Sequence, residues 1–354
     1  MSYCINFRCP QRENPDGLRH CQTCGTPLLV KERYRLLYPL RELDEWEPSE
    51  VFAIDDGGQS KVLKVLKKKI LQPLFEREAL TLQSLDHPGI PHVEPDGYFE
   101  LEIGDQRLYC LVMESVQGTD LDDWQRQNPP PDQATALAWL GQLVDLLAQL
   151  HGEELFHRDI KLSNIMLRPT GELALVDFGS VRPMTATYFA KLAGRRDITS
   201  VVSPGYTPLE QINGRAVPQS DFYALGRSFV HLLTGCHPVD LPEDATTGRL
   251  SWREAAKQPL DDWFVSLLDD MMAPFPGQRP LNAETLKLRL QAPEAAAAKS
   301  GSSLLLWSER LLIGGNVALL LVQLFLGWQL LRQRPSSAAT VGLAVLQSQS
   351  EPGP

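Results

Sequence analysis

This 354-residue sequence has few cysteines, no surplus of positive charge and no apolar leader. Six cysteines are too few for a disulfide framework in a chain of this length. The formal net charge of −10 argues against a general nucleic-acid binder, so we expect no nucleic-acid partner. The opening MSYCINFRCP contains no apolar stretch. We therefore expect no signal peptide and place the bulk of the chain in the cytoplasm.

The composition is that of a globular protein, with 43% hydrophobic and 22% charged residues. These values exclude a disordered tail, a collagen and a polytopic membrane protein, although a single spanning helix remains compatible with them. Changes in composition divide the chain into a cysteine-rich segment (1–30), a globular domain (34–292), a linker (293–310), an apolar segment (311–331) and a short polar tail (332–354).

Within the globular segment, strand patterns come first and helical patterns follow. Val51–Ile54 and Ser60–Leu66 are predicted strands joined by an Asp-Asp-Gly-Gly turn, and Leu108–Glu114 is a predicted buried strand. Pro73 begins a predicted helix that runs to Leu85, and Asp132–His151 is a longer one. We therefore predict an α+β fold with a small β-rich lobe followed by a larger α-helical lobe.

The first four cysteines have the spacing C-x4-C-x11-C-x2-C, from Cys4 and Cys9 to Cys21 and Cys24. Two close pairs joined by a short loop can place four thiolates tetrahedrally around one zinc ion. We therefore predict a small structural zinc ribbon, closed by protein ligands and hence not catalytic. The alternatives are chance cysteine doublets, a redox pair, or a zinc site in which His20 substitutes for one of the cysteine ligands.

The string HRDIKLSN at residues 157–164 is followed by DFG at residues 177–179. In this combination and spacing the sequence resembles the Hanks-type serine/threonine protein kinases. Phosphoryl transfer needs hard oxygen ligands for magnesium or manganese, and Asn164 and Asp177 match them. Asp159 matches the carboxylate that accepts the hydroxyl proton, and Lys161 matches the lysine that contacts the transferring phosphate of ATP.

The resemblance extends upstream into the expected nucleotide site. Lys64 matches the lysine that anchors the ATP phosphates, with Lys61 and Lys67 as alternatives, and Glu78 rather than Glu76 matches its helix partner. The adenosine of ATP is expected to contact a further set of residues on the same side: Val62, Met113, Glu114, Val116 and Asp120.

Four further residues match positions that have architectural roles in the family, namely Arg158, Glu210, Asp221 and Arg279. The activation segment, from Asp177 to Glu210, contains the hydroxyl residues Thr185, Thr187, Thr199, Ser200 and Ser203. We predict Thr199 and Ser200 as phosphorylation sites because Arg158 supplies a cation for a phosphate in this segment. The alternative is that they are solvated loop residues.

The match fails at the loop that covers the ATP phosphates in the family. Counting back from Val51, the three glycine positions hold Asp44, Trp46 and Ser49. Acidic residues in the same stretch, Asp44, Glu45, Glu47 and Glu50, are expected to repel a triphosphate. The side chain of Val62 also narrows the adenine pocket. The expected function is kinase activity with autophosphorylation. The alternatives are a pseudokinase signalling scaffold, or a zinc-ribbon adaptor whose kinase fold is a carrier.

The segment Leu311–Leu331 holds 21 residues without a formal charge. As a helix it would span ~32 Å, enough to cross a bilayer, and Trp307 and Trp328 lie near its ends. Asn316 and Gln323 would share one helix face, which predicts pairing into a homodimer. A zinc ribbon, kinase and membrane helix in this order resemble a bacterial, cyanobacterial-type kinase. This resemblance implies a single-pass protein of the plasma or thylakoid membrane, with the kinase domain in the cytoplasm and protein substrates as partners.

Overall fold

A six-stranded antiparallel sheet dominates the first part of the computed structural model, which describes residues 1–44, 46–183 and 202–291. Two short strands, β1 (Ser2–Tyr3) and β2 (Glu13–Asn14), form a separate hairpin near the amino terminus. The six strands of the sheet are β3 (Leu29–Val30), β4 (Tyr34–Pro39), β5 (Ser49–Asp56), β6 (Gln59–Leu66), β7 (Tyr98–Ile103) and β8 (Gln106–Glu114). Their spatial order is β3-β4-β5-β6-β8-β7.

The hairpin of β5 and β6 forms where the sequence predicts it. Asp56 pairs with Gln59, so Gly57 and Gly58 occupy the turn, both with positive φ values of 61° and 94°. Glycine adopts such angles without steric cost, and two successive positive φ angles give a turn that follows the strand twist. Along β6, this register pairs Val62 with Met113 and Lys64 with Leu111 of β8.

The cysteine-rich segment packs directly on this sheet. Ile5 is buried in the same apolar cluster as Phe52 and Leu63, and Tyr3 and Phe7 pack against that cluster. β3 pairs with β4, so the end of the segment also forms the edge strand of the sheet. Ile5 and Val30 therefore share one apolar core with the sheet, whereas three of the cysteines and Leu28 form a small cluster of their own.

The first helix, α1 (Gln72–Ser84), has Pro73 in its first turn, where a missing N–H group costs no hydrogen bond. Its buried face carries Phe75, Ala79 and Leu82, and Glu78 lies on the same face. A carboxylate buried among apolar residues requires a partner, so its position already indicates an ion pair.

The second part of the described chain is mainly helical, as predicted. Its helices are α2 (Leu121–Gln127), α3 (Gln133–Gly152), α4 (Leu209–Ile212), α5 (Pro218–Thr234), α6 (Asp262–Met271) and the helical residues 283–291. Short strands lie between them: β9 (Thr119–Asp120), β10 (Leu155–Phe156), β11 (Ile165–Leu167), β12 (Leu173–Leu175) and β13 (Arg182–Pro183). The predicted succession of a β-rich lobe and a larger helical lobe is confirmed.

Across the residues that the structure describes, we find no helix with the length and apolar character needed to span a membrane. Three predicted segments lie outside those residues: the membrane helix (311–331), its linker (293–310) and the polar tail (332–354). Thr199 and Ser200 are also outside them.

Candidate active site

A buried lysine connects the two lobes. Lys64 of β6 donates to Glu78 of α1, at 2.7 Å to Oε1 and 3.0 Å to Oε2, and to Oδ1 of Asp177 at 3.1 Å. Burial alone would lower the pKa of Lys64, but the charges of Asp177 and Glu78 outweigh it and raise that pKa. The Lys64 ammonium in turn holds the pKa of Asp177 well below its usual range. Lys64 and Asp177 are therefore both charged at neutral pH.

The alternatives that the sequence left open have other partners. Lys61 pairs with Asp56 and Glu94, and Lys67 pairs with Glu50. Glu76, the alternative to Glu78, accepts a hydrogen bond from Gln72 at an exposed position of α1. Of these candidates, the structure brings only Lys64 and Glu78 together with Asp177.

Gly179 makes room for this ion pair. A Cβ atom at that position would lie 2.9 Å from Nζ of Lys64 and 3.3 Å from Oε2 of Glu78. A side chain there would require the Lys64 ammonium, the end of a flexible side chain, to shift relative to its partners. Glycine at this position of the DFG motif leaves the pair undisturbed.

A second cluster is built around Asp159. Its Oδ2 atom accepts from Nζ of Lys161 and from Nδ2 of Asn164, each at 3.0 Å, and its Oδ1 atom accepts from Oγ of Ser203 at 2.6 Å. Lys161 also donates to Ser203 at 3.2 Å. Ser203 is one of the five hydroxyl residues of the activation segment, and the sequence alone assigned it no role. The structure shows that it contacts both residues expected to be catalytic.

One atom of this cluster has no partner. Oδ1 of Asn164 is buried and accepts no hydrogen bond, although the amide nitrogen of the same side chain is fully engaged by Asp159. A buried carbonyl oxygen without a donor is costly unless another group satisfies it. Asn164 and Asp177 are both hard oxygen ligands, so these two residues fit a magnesium or manganese ion.

Asp221 holds the backbone of the loop that contains the HRD motif (residues 157–164), which we call the catalytic loop. Its carboxylate accepts from the amides of His157 at 2.9 Å and of Arg158 at 2.8 Å, and it also contacts the His151 ring. Arg158 and Asp177 both adopt positive φ angles, 71° and 64°, which are unfavourable for residues with a Cβ atom. The hydrogen bond that Asp221 accepts from the Arg158 amide helps to hold the first of these conformations.

His157 has a structural environment. The side chain is buried, its ring packs edge-on against Phe178 at 5.1 Å, and burial lowers its pKa. A neutral buried ring suits a role in packing.

Glu210 and Arg279 form an ion pair at 2.6 Å, and Arg279 also donates to backbone carbonyls at residues 219, 273 and 274. Next to Glu210, Gln211 donates to the carbonyl of Arg158 at 2.6 Å. The chain that follows the activation segment is thereby tied to the catalytic loop.

A cleft of about 340 Å³ lies beside the Lys64 cluster. Apolar side chains form much of its wall: Leu40, Val51, Val62, Met113, Val116, Met166 and Val176. Charged groups lie in the same cleft, including Lys64, Glu78 and Asp177. One part of the lining is apolar and suits a flat base, and another part is charged and suits phosphate groups. The cleft therefore suits a nucleotide.

Two residues expected to contact adenosine are partly engaged elsewhere. The backbone amide of Glu114 donates to the carbonyl of His92. The backbone group that Glu114 can offer to a ligand is therefore its carbonyl. Asp120 caps α2 by accepting from the amides of Asp122 and Asp123 through Oδ1. Burial raises the pKa of Asp120 above its ordinary value. Its second carboxylate oxygen is the one suited to a ribose hydroxyl.

The loop between β4 and β5 stands where the family has its glycine-rich loop. The amide of Leu40 donates to the carbonyl of Val51, and Ser49 already begins β5. At the tip, the Trp46 amide donates to Oδ1 of Asp44, so this amide is not free to bind phosphate. Lys67 and Lys68 donate to the carbonyls of residues 44 and 46.

The structure corrects one expectation about this loop. Glu50 does not add repulsion toward a triphosphate, because its carboxylate is buried and pairs with Arg12 at 2.8 Å and with Lys67 at 3.2 Å. Arg12 belongs to the cysteine-rich segment, and the sequence contains no local signal for this distant pairing. The loop is thus connected to the amino-terminal segment by a buried ion pair.

Outside the cleft, the four amino-terminal cysteines are brought together. Their sulfur atoms all lie within 4.8 Å of one another, with 3.6 Å between Cys4 and Cys24 and 3.8 Å between Cys9 and Cys21. Four thiolates around zinc at a Zn–S distance of about 2.3 Å have S–S separations of about 3.8 Å. The four cysteines are therefore close enough together to hold one metal ion.

Comparisons with known proteins agree with this geometry. A family model described as the protein kinase domain matches residues 49–289. Serine/threonine-protein kinase B of Synechocystis sp. is 31% identical over 72% of this chain and 46% of its own length. Kinase F of the same organism is 33% identical over 75% and 56%, and kinase PknA of Nostoc sp. is 30% identical over 74% and 48%. The chain spans about half the length of these curated relatives.

Proposed function

We propose that this chain, which belongs to the protein kinase family as a serine/threonine kinase, transfers the γ-phosphate of ATP to serine and threonine hydroxyls of proteins. The observation that carries the proposal is the simultaneous presence of two charged clusters, one lining the cleft and the other joined to its wall by the hydrogen bond from the Val176 amide to the Asn164 carbonyl. Lys64, Glu78 and Asp177 form the first, and the second is centred on Asp159.

Each residue has a role that its contacts support. Asp159 would accept the proton of the substrate hydroxyl, with Asn164 and Ser203 holding its carboxylate in place. Lys161 would neutralise charge on the phosphate being transferred. Lys64, kept charged and positioned by Glu78, would anchor the phosphates of ATP.

Asn164 and Asp177 would hold the magnesium or manganese ion. When bound, the metal supplies charge neutralisation on the phosphate oxygens. The partnerless Oδ1 of Asn164 supports this assignment, because a metal would satisfy it. Lys64 and Arg41 both form ion pairs with Asp177, and their positive charges lower the pKa of its carboxyl group. The carboxylate is therefore ionised, as a metal ligand must be.

The alternative of a pseudokinase scaffold rests on the missing glycines. The fold alone would suffice for a scaffold, whereas the paired Lys64 and Glu78, the hydrogen-bonded Asp159 and the free oxygen of Asn164 serve chemistry. We therefore favour the active enzyme, with ATP affinity weaker than in a kinase that has a glycine-rich loop. Autophosphorylation, with Thr199 and Ser200 as acceptors, is part of the same proposal.

We also propose that Cys4, Cys9, Cys21 and Cys24 bind one structural zinc ion, since four converging thiolates favour zinc. The apolar segment 311–331 is proposed as a single membrane helix that anchors the kinase domain on the cytoplasmic side of the plasma or thylakoid membrane and pairs with a second copy. The test of this anchor is whether the full-length chain stays with membranes after carbonate extraction and whether a chain ending at residue 300 does not.

The experiment for the catalytic proposal measures phosphate transfer from radiolabelled ATP by the full-length protein with magnesium or manganese. Wild type should label itself or an added protein substrate, and Asp159→Asn should lower that labelling by at least a hundredfold while still binding ATP. Equal, background labelling by both proteins would overturn the enzyme in favour of the scaffold.

A further inference from the structure

An arginine from the loop above the cleft reaches its charged end. Arg41 follows Leu40, whose amide is fixed to the carbonyl of Val51, and both Leu40 and Arg41 line the cleft. Nη1 of Arg41 donates to Oδ2 of Asp177 at 3.1 Å, while Lys64 takes the other oxygen of that carboxylate. Arg41 and Lys64 are the two cationic side chains among the residues described as lining this cleft.

The described part of the loop does not favour a phosphate. The amide of Trp46 is engaged by Asp44, and the sequence has acidic residues at 42, 44, 45 and 47. In family members that have the glycine-rich loop, the backbone amides of its glycines would approach the phosphates of ATP. Here, a guanidinium stands at the beginning of the loop instead, with a permanent charge and a planar set of donors that matches phosphate oxygens.

The contact between Arg41 and Asp177 is easily exchanged. The Arg41 side chain is 56% exposed, and an ion pair at such a position contributes little to stability. A divalent ion has a stronger claim on Asp177 than an exposed guanidinium has. Once Asp177 serves the metal, Arg41 is left in the cleft beside the position that the phosphates would take.

We propose that Arg41 binds the phosphate groups of ATP and replaces, with one side-chain cation, the missing glycine amides of the loop. This inference rests on the proposed kinase function of the cleft. It adds a binding residue that the family motif does not contain, and it explains how a loop with four acidic residues remains compatible with a triphosphate.

The test is isothermal calorimetry of the full-length protein with ATP and magnesium, with ADP and magnesium, and with adenosine. Arg41→Ala should weaken ATP binding by about ten- to thirtyfold and leave adenosine binding unchanged, because adenosine has no phosphate. Arg41→Lys should fall between wild type and Arg41→Ala. The matched control is Arg107→Ala, which removes an exposed arginine that pairs with Glu100 and Glu102 on the sheet, and it should bind like wild type.

Three outcomes would overturn the inference: unchanged ATP affinity in Arg41→Ala, an equal loss for ATP and adenosine, or tighter ATP binding. The last would show that Arg41 competes with the metal for Asp177 instead of helping the phosphates. Phosphate transfer by wild type, measured separately, keeps the two proposals distinguishable. Transfer with unchanged affinity in Arg41→Ala rejects this inference alone, whereas lost affinity without any wild-type transfer rejects only the kinase.

Discussion

Replacing Arg12 by alanine tests whether the cysteine-rich segment is a structural part of the first lobe. Arg12 and Glu50 are 9% and 6% exposed at their side chains, and their atoms Nη2 and Oε2 are 2.8 Å apart. The Arg12 guanidinium also donates to the carbonyl of Cys4 at 2.8 Å and lies 5.0 Å and 5.4 Å from the ring centres of Tyr3 and Phe52. One side chain therefore holds the cysteine-rich segment, the sheet and the cleft loop together.

The size of the effect follows from what Arg12→Ala leaves behind. Removing one partner of a buried ion pair costs about 3–5 kcal/mol, mainly because the other charge stays buried. Lys67 still pairs with Glu50 at 3.2 Å, which favours the lower end. We therefore expect Arg12→Ala to lower the free energy of unfolding by about 3 kcal/mol, with Arg12→Lys in between because it keeps the charge and loses the planar donors.

The measurement is equilibrium urea unfolding of zinc-replete, full-length protein in mild detergent, followed by circular dichroism. Arg8→Ala is the matched control, because Arg8 lies in the same segment and pairs with Asp105 at 3.1 Å, but with side chains 58% and 81% exposed. It should cost at most about 1 kcal/mol. The reasoning is refuted if Arg12→Ala costs no more than Arg8→Ala, or if Arg12→Ala and Glu50→Gln prove additive in a double-mutant cycle.

Three further predictions concern the metal, the ion pair and pH. Elemental analysis should find about one zinc per wild-type chain and none in Cys21→Ser/Cys24→Ser; full zinc in the variant would reject the site. Gly179→Ala should fold normally but lose at least about tenfold in phosphate transfer, since its Cβ would meet Lys64; activity equal to wild type would contradict the packing argument. The hydrogen bond from Arg33 and, to a smaller extent, the one from Lys61 lower the pKa of Asp56. The stability that Asp56 contributes is thus present above about pH 4 and is lost as the pH falls through its lower folded-state pKa. The stability difference between wild type and Asp56→Asn should shrink on acidification from pH 7 to pH 3, and a constant difference would count against the pairing.

The parts of the site that could be predicted from sequence are those whose residues follow one another in short motifs. Asp159, Lys161 and Asn164 lie within six residues of one another, and their string together with the DFG motif carried the resemblance to protein kinases that implied their shared chemistry. The hairpin of β5 and β6 was equally local, because its two glycines demand a turn. In both cases, neighbouring residues contain the whole signal.

The remaining features depend on contacts between distant residues. Arg41 and Asp177 are 136 positions apart, and nothing in either neighbourhood indicates that a loop arginine reaches the DFG aspartate. Arg12 and Glu50 show the same limit: composition suggested that Glu50 was a repulsive surface charge, whereas burial and pairing removed it from the cleft. Charge counted along a sequence therefore cannot predict electrostatics in a cleft without the direction of each side chain.

The most direct test of the central claim is to quantify ADP and phosphoamino acids in the same reaction of the full-length protein with magnesium and ATP. The account predicts one phosphoserine or phosphothreonine for each ADP formed, no phosphotyrosine, and loss of both products in Asp159→Asn. ADP accompanied only by free phosphate would show that water is the acceptor. No ADP at all from the wild type would show that the cleft, despite its paired charges, does not catalyse transfer.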